Sequence, residues 1–302
     1  MLGTLTDLDL RLIRVFLAVA DAGGITVAQT TLNISQPTIS THLSTLEARL
    51  GFRLCDRGRS GFRLTEKGER FHALCAQLFS AVDEFGAAAR NMDKTLVGTL
   101  KIGLIGHTPI SQNARISDAI AYFRQRDEAV RFAISVRSPG ELEEHLLSGA
   151  IQIAVGYFWH RVPTLDYTPL FTERQLAYCG CGHPLFRQAG HVTSTEVADF
   201  EWAWRSYPLP EAHLPVTPSQ ITAQADNMEA VSLLILSGYH LGYLPEHFAA
   251  PFVAQGLLAA LNPDEFSYEV TFHIVTQRQG RRNPIVAAFI DDLERAHYRT
   301  NR

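Results

Sequence analysis

One face of a short helix carries side chains able to do chemistry with a polar partner. Gln36, Thr38, Ser40, Thr41, His42, Thr45 and Arg49 fall on it, while Ile39, Leu43, Leu46 and Leu50 recur at helical spacing behind it. A face meant only for water usually carries Lys and Glu. Hydroxyls and amides near a helix N-terminus are the groups that read base edges in a major groove. A solvated amphipathic helix is the alternative, because paired short helices also occur where no nucleic acid is bound. The elements needed to position this face lie just upstream. Thr26 followed by Gln29 has capping-box spacing for a helix running to about Leu32. Asn33 and Ile34 make a turn, Ser35 suits the next N-cap, and Pro37 is tolerated in a first turn. Residues 25–50 therefore predict a helix-turn-helix.

The flanking segments fit that unit. Leu12, Val15, Phe16 and Val19 stripe a helix over Leu8–Ala22, which Gly23-Gly24 ends. After Gly51, two short alternating runs around Gly58-Arg59-Ser60-Gly61 predict a hairpin over 52–64. Arg53, Arg57, Arg59 and Arg63 flank its tip as a wing placed to hold phosphates. From Arg49 to Arg70 seven basic residues face three acidic ones. A local basic footprint on a chain of net charge −4 fits site-specific rather than wholesale nucleic-acid binding. Thr65 then caps a long helix to about Met92. Phe71, Leu74, Leu78, Ala81, Phe85, Ala88 and Met92 alternate at intervals of three and four, a seam that predicts self-pairing into a dimer.

With 302 residues, 46% of them hydrophobic, the chain has room for two or three domains. No apolar run approaches the roughly 20 residues that span a bilayer, and the N-terminus lacks the order of a signal peptide. Four cysteines are too few for a disulfide scaffold, so a reducing cytoplasm is expected and no membrane partner. Beyond a connector at 93–97, strands and helices alternate. Strands are predicted at Thr99–Ile105, Val130–Val136 and Ile151–Gly156, and helices at Ile110–Arg126 and Gly140–Gly149. This rhythm predicts a parallel sheet in an α/β domain. Asp166–Phe171 reads as a crossing segment. A second unit has strands at Arg174–Gly180, Trp202–Ser206 and Leu241–Leu244 and helices at Thr195–Phe200 and Asn227–Gly238. The chain closes with a strand at Tyr268–Gln277 and a helix at Pro284–Tyr298.

The run from Leu10 to Gly68 resembles the N-terminal domain of LysR-type transcriptional regulators. Phe16, Ala22-Gly23, Ala28, Leu32, Ser35-Gln36-Pro37, Ile39-Ser40, Leu43, Leu46-Glu47, Leu50-Gly51, Leu54, Arg57, Leu64-Thr65 and Gly68 carry the resemblance at fixed spacing. Gly98–Gly103, His183-Pro184-Leu185 and Ser237-Gly238 to Leu244-Pro245 extend it, more weakly, over the rest. Ile25, Val27, His42 and Gln152 depart from the common pattern, and His42 lies on the reading face. The resemblance implies an α+β multi-domain protein. A winged helix-turn-helix (1–65) precedes a dimerising linker helix (66–92), a hinge (93–97) and an effector-binding domain (98–302). That domain would have two α/β subdomains like periplasmic binding proteins, the first from 98–166 and 268–302 and the second from 167–267. It further implies a homodimer assembling into a tetramer on promoter DNA, and bending changed by a small-molecule effector. Positions matching Gln36, Pro37, Thr38, Ser40 and Thr41 would face bases, with Thr26, Gln29, Ser35 and His42 in the same constellation, and the wing arginines would contact the backbone.

Three helix starts are placed to meet an anion: His107-Thr108-Pro109, Ser138-Pro139-Gly140-Glu141 and Asp226-Asn227. Thr108 and Ser138 also suit plain capping. Tyr157-Phe158-Trp159-His160 follows one strand, and Trp202 to Tyr207 forms another. Alternation separates Trp204 and Ser206 from Arg205 and Tyr207. Arg205 beside those rings would suit an aromatic carboxylate, with ring on ring and guanidinium on carboxylate; packing in a core is the plain alternative for the rings. The effector is thus expected to be an organic carboxylate, aromatic if the rings take part. Cys179, Cys181 and His183 read as one strand face, so a cysteine-based redox or metal sensor of the same fold is the competing reading. No P-loop, dinucleotide fingerprint, zincin helix or nucleophile elbow is found, so no enzyme, cofactor or metal is expected.

Overall fold

A computed structural model describes residues 5–58, 61–90, 96–106, 108, 114–126, 130–208, 215 and 218–298, with the backbone alone at 57, 58, 61, 84, 87, 88, 126 and 298. Two compact units are present, Met1–Phe85 with Ser148–Ala150, and Gly86–Leu147 with Ile151–Arg302.

In the first unit, α1 (Asp7–Asp21), α2 (Ile25–Leu32) and α3 (Gln36–Leu50) precede a hairpin of β1 (Cys55–Gly58) and β2 (Gly61–Leu64). The helix α4 (Glu66–Arg90) follows. The apolar stripe of α1 buries Leu12, Val15, Phe16 and Val19 against Ile39, Leu43 and Leu46 of α3, with Leu54 between them. Each such side chain contributes roughly 1.5–3 kcal/mol of transfer free energy. Thr6 and Asp9 form the capping box of α1. Asp9 also takes a two-point bond from Arg49, with Nη2 to Oδ2 at 2.9 Å. The Arg49 bond, then that from Thr6, lower the Asp9 carboxyl to about 2. Arg49 therefore locks α3 onto α1 instead of standing on the reading face.

The second unit is α/β. A seven-stranded mixed sheet has the order β10-β6-β11-β5-β3-β4, with β9 also on β6. Here β3 is Gly98–Leu104, β4 Val130–Val136, β5 Ile153–Gly156 and β6 Leu165–Gly180, while β9 is Gly242–Pro245, β10 Leu258–Ala260 and β11 Ser267–Gln277. Parallel pairs hold β3 to β4 and β5, and β11 runs antiparallel to β5 and β6. The helices α5 (Ile116–Arg126) and α10 (Pro284–Tyr298) cover one core through Phe123 and Phe289. Further along come α6 (Pro139–Ser148), the short α7 (Ser194–Val197), β7 (Trp202–Arg205), β8 (Ile221–Ala225), α8 (Met228–Leu236) and α9 (Glu246–Ala254). A parallel β7-β8 pair adjoins β9 through a single bridge from Trp202 to Leu241.

The βαβ rhythm holds, and several expected bounds change. Asp166–Phe171 and Arg174–Gly180 are one strand, because β11 pairs with β6 from Leu165 to Leu176. The helix expected from Ile110 begins at Ile116. The α9 helix and the strands β8 and β10 are additions to the sequence reading. Pro251 sits inside α9, which obscured its helical pattern. Among the described residues no helix is long and apolar enough to cross a membrane.

Candidate DNA-reading face and effector cleft

The α3 helix starts at Gln36 with Ser35 as N-cap and Pro37 in its first turn. Gln36, Pro37, Thr38 and Thr41 are exposed, and Ser40 and His42 are half-buried. The Thr26–Gln29 capping box does not form. Gly24 is the N-cap of α2, which places Thr26 inside the first turn, and Gln29 stays exposed. Thr26 instead serves α3. Its hydroxyl accepts from Gln36 Nε2 at 3.2 Å, which orients the first polar side chain of that helix. Ser35 makes no side-chain cap, and its Oγ lies 2.8 Å from Thr38 Oγ1. Thr41 donates to the Pro37 carbonyl at 2.9 Å and Thr45 to the Thr41 carbonyl at 2.8 Å. His42 Nδ1 is buried without a hydrogen bond among the described residues. Glu47, absent from the sequence-predicted site, accepts from the Leu54 backbone N–H at 2.8 Å and so ties α3 to the root of the wing.

The wing is a regular antiparallel ladder from Cys55↔Leu64 to Gly58↔Gly61. Arg53 and Arg63 are exposed, and Arg57 pairs in register with Phe62. Arg59 and the side chain of Arg57 lie outside the described residues. Thr65 caps α4, accepting from Gly68 N–H at 3.0 Å. The heptad seam divides. Phe71 turns inward against Phe16 and Phe52, at 5.6 and 6.4 Å between ring centroids, and so leaves the expected dimer face. The reason is that α4 completes the core of its own unit on that side, where Cys75 is also buried. Leu74 and Phe85 point outward, 61% and 75% exposed. Leu78 is half-buried and Ala81 exposed. Met92 and the side chain of Ala88 lie outside the described residues.

In the second unit a cleft of about 260 Å³ is lined by Gly106, Val136, Arg137, Ser138, Glu141, Asp226 and Asn227. Ser138 and Asn227, from the predicted set, are therefore brought together. Their helix starts are already capped. Glu141 accepts from the Ser138 N–H at 2.9 Å and from its hydroxyl at 2.7 Å, and these bonds hold the Glu141 carboxyl below its usual range. Asn227 Oδ1 accepts from Ala230 N–H at 2.7 Å. Pro139 is buried in the first turn of α6. Thr108 is buried, its N–H turned back to the Gly106 carbonyl at 2.6 Å, and His107 lies outside the described residues.

The aromatic runs separate by role. Trp204 packs on Trp202 and Tyr243 and belongs to the core more than to a ligand platform. Tyr157 and Phe158 are buried, and burial pushes the Tyr157 phenol up to about 12. Ser206 is exposed and donates its N–H to the Ala225 carbonyl at 2.9 Å. Arg205 is 7% exposed. Its Nη2 donates to Gln175 Oε1 at 2.6 Å, and Gln175 Nε2 donates to Glu173 Oε1 at 2.7 Å. His247 Nδ1 stands 3.5 Å from the second Glu173 oxygen. Tyr207 lies 6.0 Å below the guanidinium and stacks on Trp159 at 6.3 Å. Burial works against the charge on Arg205, but Tyr268, Tyr207 and Glu173 around it hold its pKa above the ordinary value. Among the described residues Arg205 Nε and the Tyr268 hydroxyl are buried without a hydrogen bond. Such orphans cost about 1–3 kcal/mol each unless something pairs them. Gln175, Glu173 and Trp159 were missed as site residues. The available signal was Glu173 alternating with Gln175 inside an apolar run.

Cys179, Cys181 and His183 do not share a face. The strand β6 ends at Gly180, leaving Cys179 buried and Cys181 exposed in the following turn. Burial raises the Cys179 thiol to about 11, and His183 Nδ1 accepts from Leu185 N–H at 3.2 Å. Among the described residues no three His, Cys, Asp or Glu side chains converge on one point.

A winged helix-turn-helix and an α/β domain with a ligand-sized cleft define a DNA-binding transcriptional regulator with an effector domain. Residues 10–69 match the bacterial regulatory helix-turn-helix of the lysR family, and 94–297 match the LysR substrate binding domain. The chain belongs to the LysR family. It is 35% identical over 292 residues to the HTH-type transcriptional activator BauR of Pseudomonas aeruginosa, covering 96% of each chain. It is 27% identical over 289 residues to the SDS degradation transcriptional activation protein of a Pseudomonas species, covering 90% of this chain and 91% of that one. Full-length CbnR complexed with its target DNA has the same fold, with a TM-score of 0.65 at 21% identity over 95% of this chain and 99% of that one.

Proposed function

We propose that this regulator works in the cytoplasm, holds a promoter dyad as a dimer that pairs into a tetramer, and catalyses no reaction. The domain division is 1–65 for DNA reading, 66–92 for dimerisation, 93–97 for the hinge and 98–302 for the effector. The observation that carries the effector reading is the buried Arg205 guanidinium, with one N–H left unpaired among the described residues. It anchors an organic carboxylate, and the Trp159–Tyr207 pair beside it offers a flat apolar wall that an aromatic acid would use. Occupancy changes the spacing of the two reading helices and so the bend in the DNA. Calorimetric titration of the full-length protein with a panel of organic acids tests the assignment; binding confined to neutral sugars would defeat it.

On the DNA side, base-edge contacts discriminate and phosphate contacts add affinity alone. Gln36→Ala is expected to relax specificity at one base pair by about 1–3 kcal/mol. Arg63→Ala should weaken all sequences alike and lower the salt slope by about one. Binding to a library of single-base operator variants at several salt concentrations separates the two; an equal effect of both changes would contradict the assignment. On the dimer side, Leu74 and Phe85 present the exposed apolar seam of α4. Phe85→Lys should shift the protein toward monomer in light scattering and cost dyad affinity more than half-site affinity. An unchanged mass at micromolar protein would move the interface elsewhere.

A further inference from the structure

The carboxylate anchor leaves the charge of the cleft itself unused. Arg137, Glu141 and Asp226 line it, and Glu229 reaches in from α8, its Oε2 only 3.3 Å from where a Cβ at Gly106 would stand. Three of these four are carboxylates. Arg137 spends a guanidinium N–H on the Val136 carbonyl at 2.8 Å. Glu141 is held as a carboxylate by Ser138, and Asp226 accepts from Asn227 Nδ2 at 2.9 Å. The helix starts facing the cleft therefore bring their own negative charge, and a purely anionic ligand would meet a rim of its own sign. Behind the rim the sign reverses. Arg205 pairs in register with Ala225, the neighbour of Asp226, and keeps its unpaired Nε–H beside the unpaired Tyr268 hydroxyl. Tyr207 links the two zones: it lies 6.0 Å from the guanidinium and is close enough to Glu229 for that carboxylate to oppose its ionisation.

We infer that the cleft binds an amphoteric small molecule, with a carboxylate on Arg205 and an ammonium group among Glu141, Asp226 and Glu229. This rests on the carboxylate reading of Arg205 given above. The volume of about 260 Å³ lies at the small end of ligand sites and fits a short amino acid better than a bulky one. An ammonium satisfies the rim by charge-assisted hydrogen bonds, which a simple carboxylate of equal length cannot make.

The test is calorimetric titration of the full-length protein with the protein amino acids and short ω-amino acids, each beside the carboxylate and the amine of matched length. At least one amino acid should bind about tenfold or more tighter than its matched carboxylate. Asp226→Asn combined with Glu229→Gln should narrow or invert that preference, because the rim then no longer repels an anion. Circular dichroism confirms that the variant is folded. Binding by simple carboxylates as tight as by any amino acid, or silence from every amino acid in the panel, would overturn the inference. If Arg205→Gln at the same time abolishes binding of a simple carboxylate, the anchor survives and the ammonium assignment alone fails. If amines bind regardless of Arg205→Gln, the anchor itself is wrong.

Discussion

Arg205→Gln is expected to weaken binding of any carboxylate effector by roughly tenfold to a hundredfold, the worth of a charge-assisted hydrogen bond of about 1.5–3 kcal/mol. Glutamine keeps a donor near Gln175 but loses the charge and the forked geometry that meets two carboxylate oxygens. Arg205→Lys keeps the charge without the fork and should fall between the two. The ordering arginine, lysine, glutamine is the diagnostic result. Equal loss for lysine and glutamine would assign the effect to collapse of the Arg205–Gln175–Glu173 chain, as would a large fall in melting temperature for either. That chain is a real contributor. Arg205 holds Gln175, which in turn holds Glu173, and removing one buried member leaves the others without partners.

Gly68→Ala sets two general expectations against each other. Helix propensity favours alanine over glycine in α4 by about 1 kcal/mol. The local geometry opposes it, because a Cβ at Gly68 would stand 1.9 Å from the Leu54 carbonyl oxygen and 2.9 Å from its carbon. That carbonyl is not free to retreat: Thr65 donates its backbone N–H to it at 3.0 Å. The close approach should win. The expected outcome is a loss of about 2 kcal/mol, within the range for an overpacked site, and a fall of roughly 10 °C in the transition of a unit this small. DNA affinity should fall with it, since α4 would be pushed off the root of the wing. Differential scanning calorimetry decides the sign. A stabilised Gly68→Ala variant would mean that the helix yields cheaply and that the packing of α4 on Leu54 is loose.

Gly68 also illustrates what the chain discloses about itself. Its place in the LysR pattern is legible from spacing, but its reason is a non-local backbone approach that no window around residue 68 contains. The helix-turn-helix was legible for the opposite reason: its apolar period, its turn and Pro37 all act within a few residues. The same locality misled at Thr26. Capping-box spacing was present, but Gly24 claimed the N-cap and freed Thr26 to hold Gln36 across the turn. The seam of α4 was read as one face, and no periodicity separates Phe71, which its own core takes, from Leu74 and Phe85, which it leaves exposed. Around Arg205, the arginine and its neighbouring rings were visible in sequence. Gln175 and Glu173 were not, because their strand was read as two fragments. Trp159 meets Tyr207 only through tertiary placement.

That strand sets a limit on modular inheritance. Over its length β6 contributes Phe171 to the core under α5 and α10, Ala177 and Cys179 to the core around Trp202, and Leu176 and Tyr178 to the core under α8 and α9. A recombination breakpoint anywhere along it would hand each product an incomplete interior and an unpaired stretch of β11. Lineages that exchange ligand preference by shuffling gene segments should therefore trade residues 98–302 as one block. Chimeras cut between 167 and 176 are expected to be insoluble where cuts near 93–97 are not.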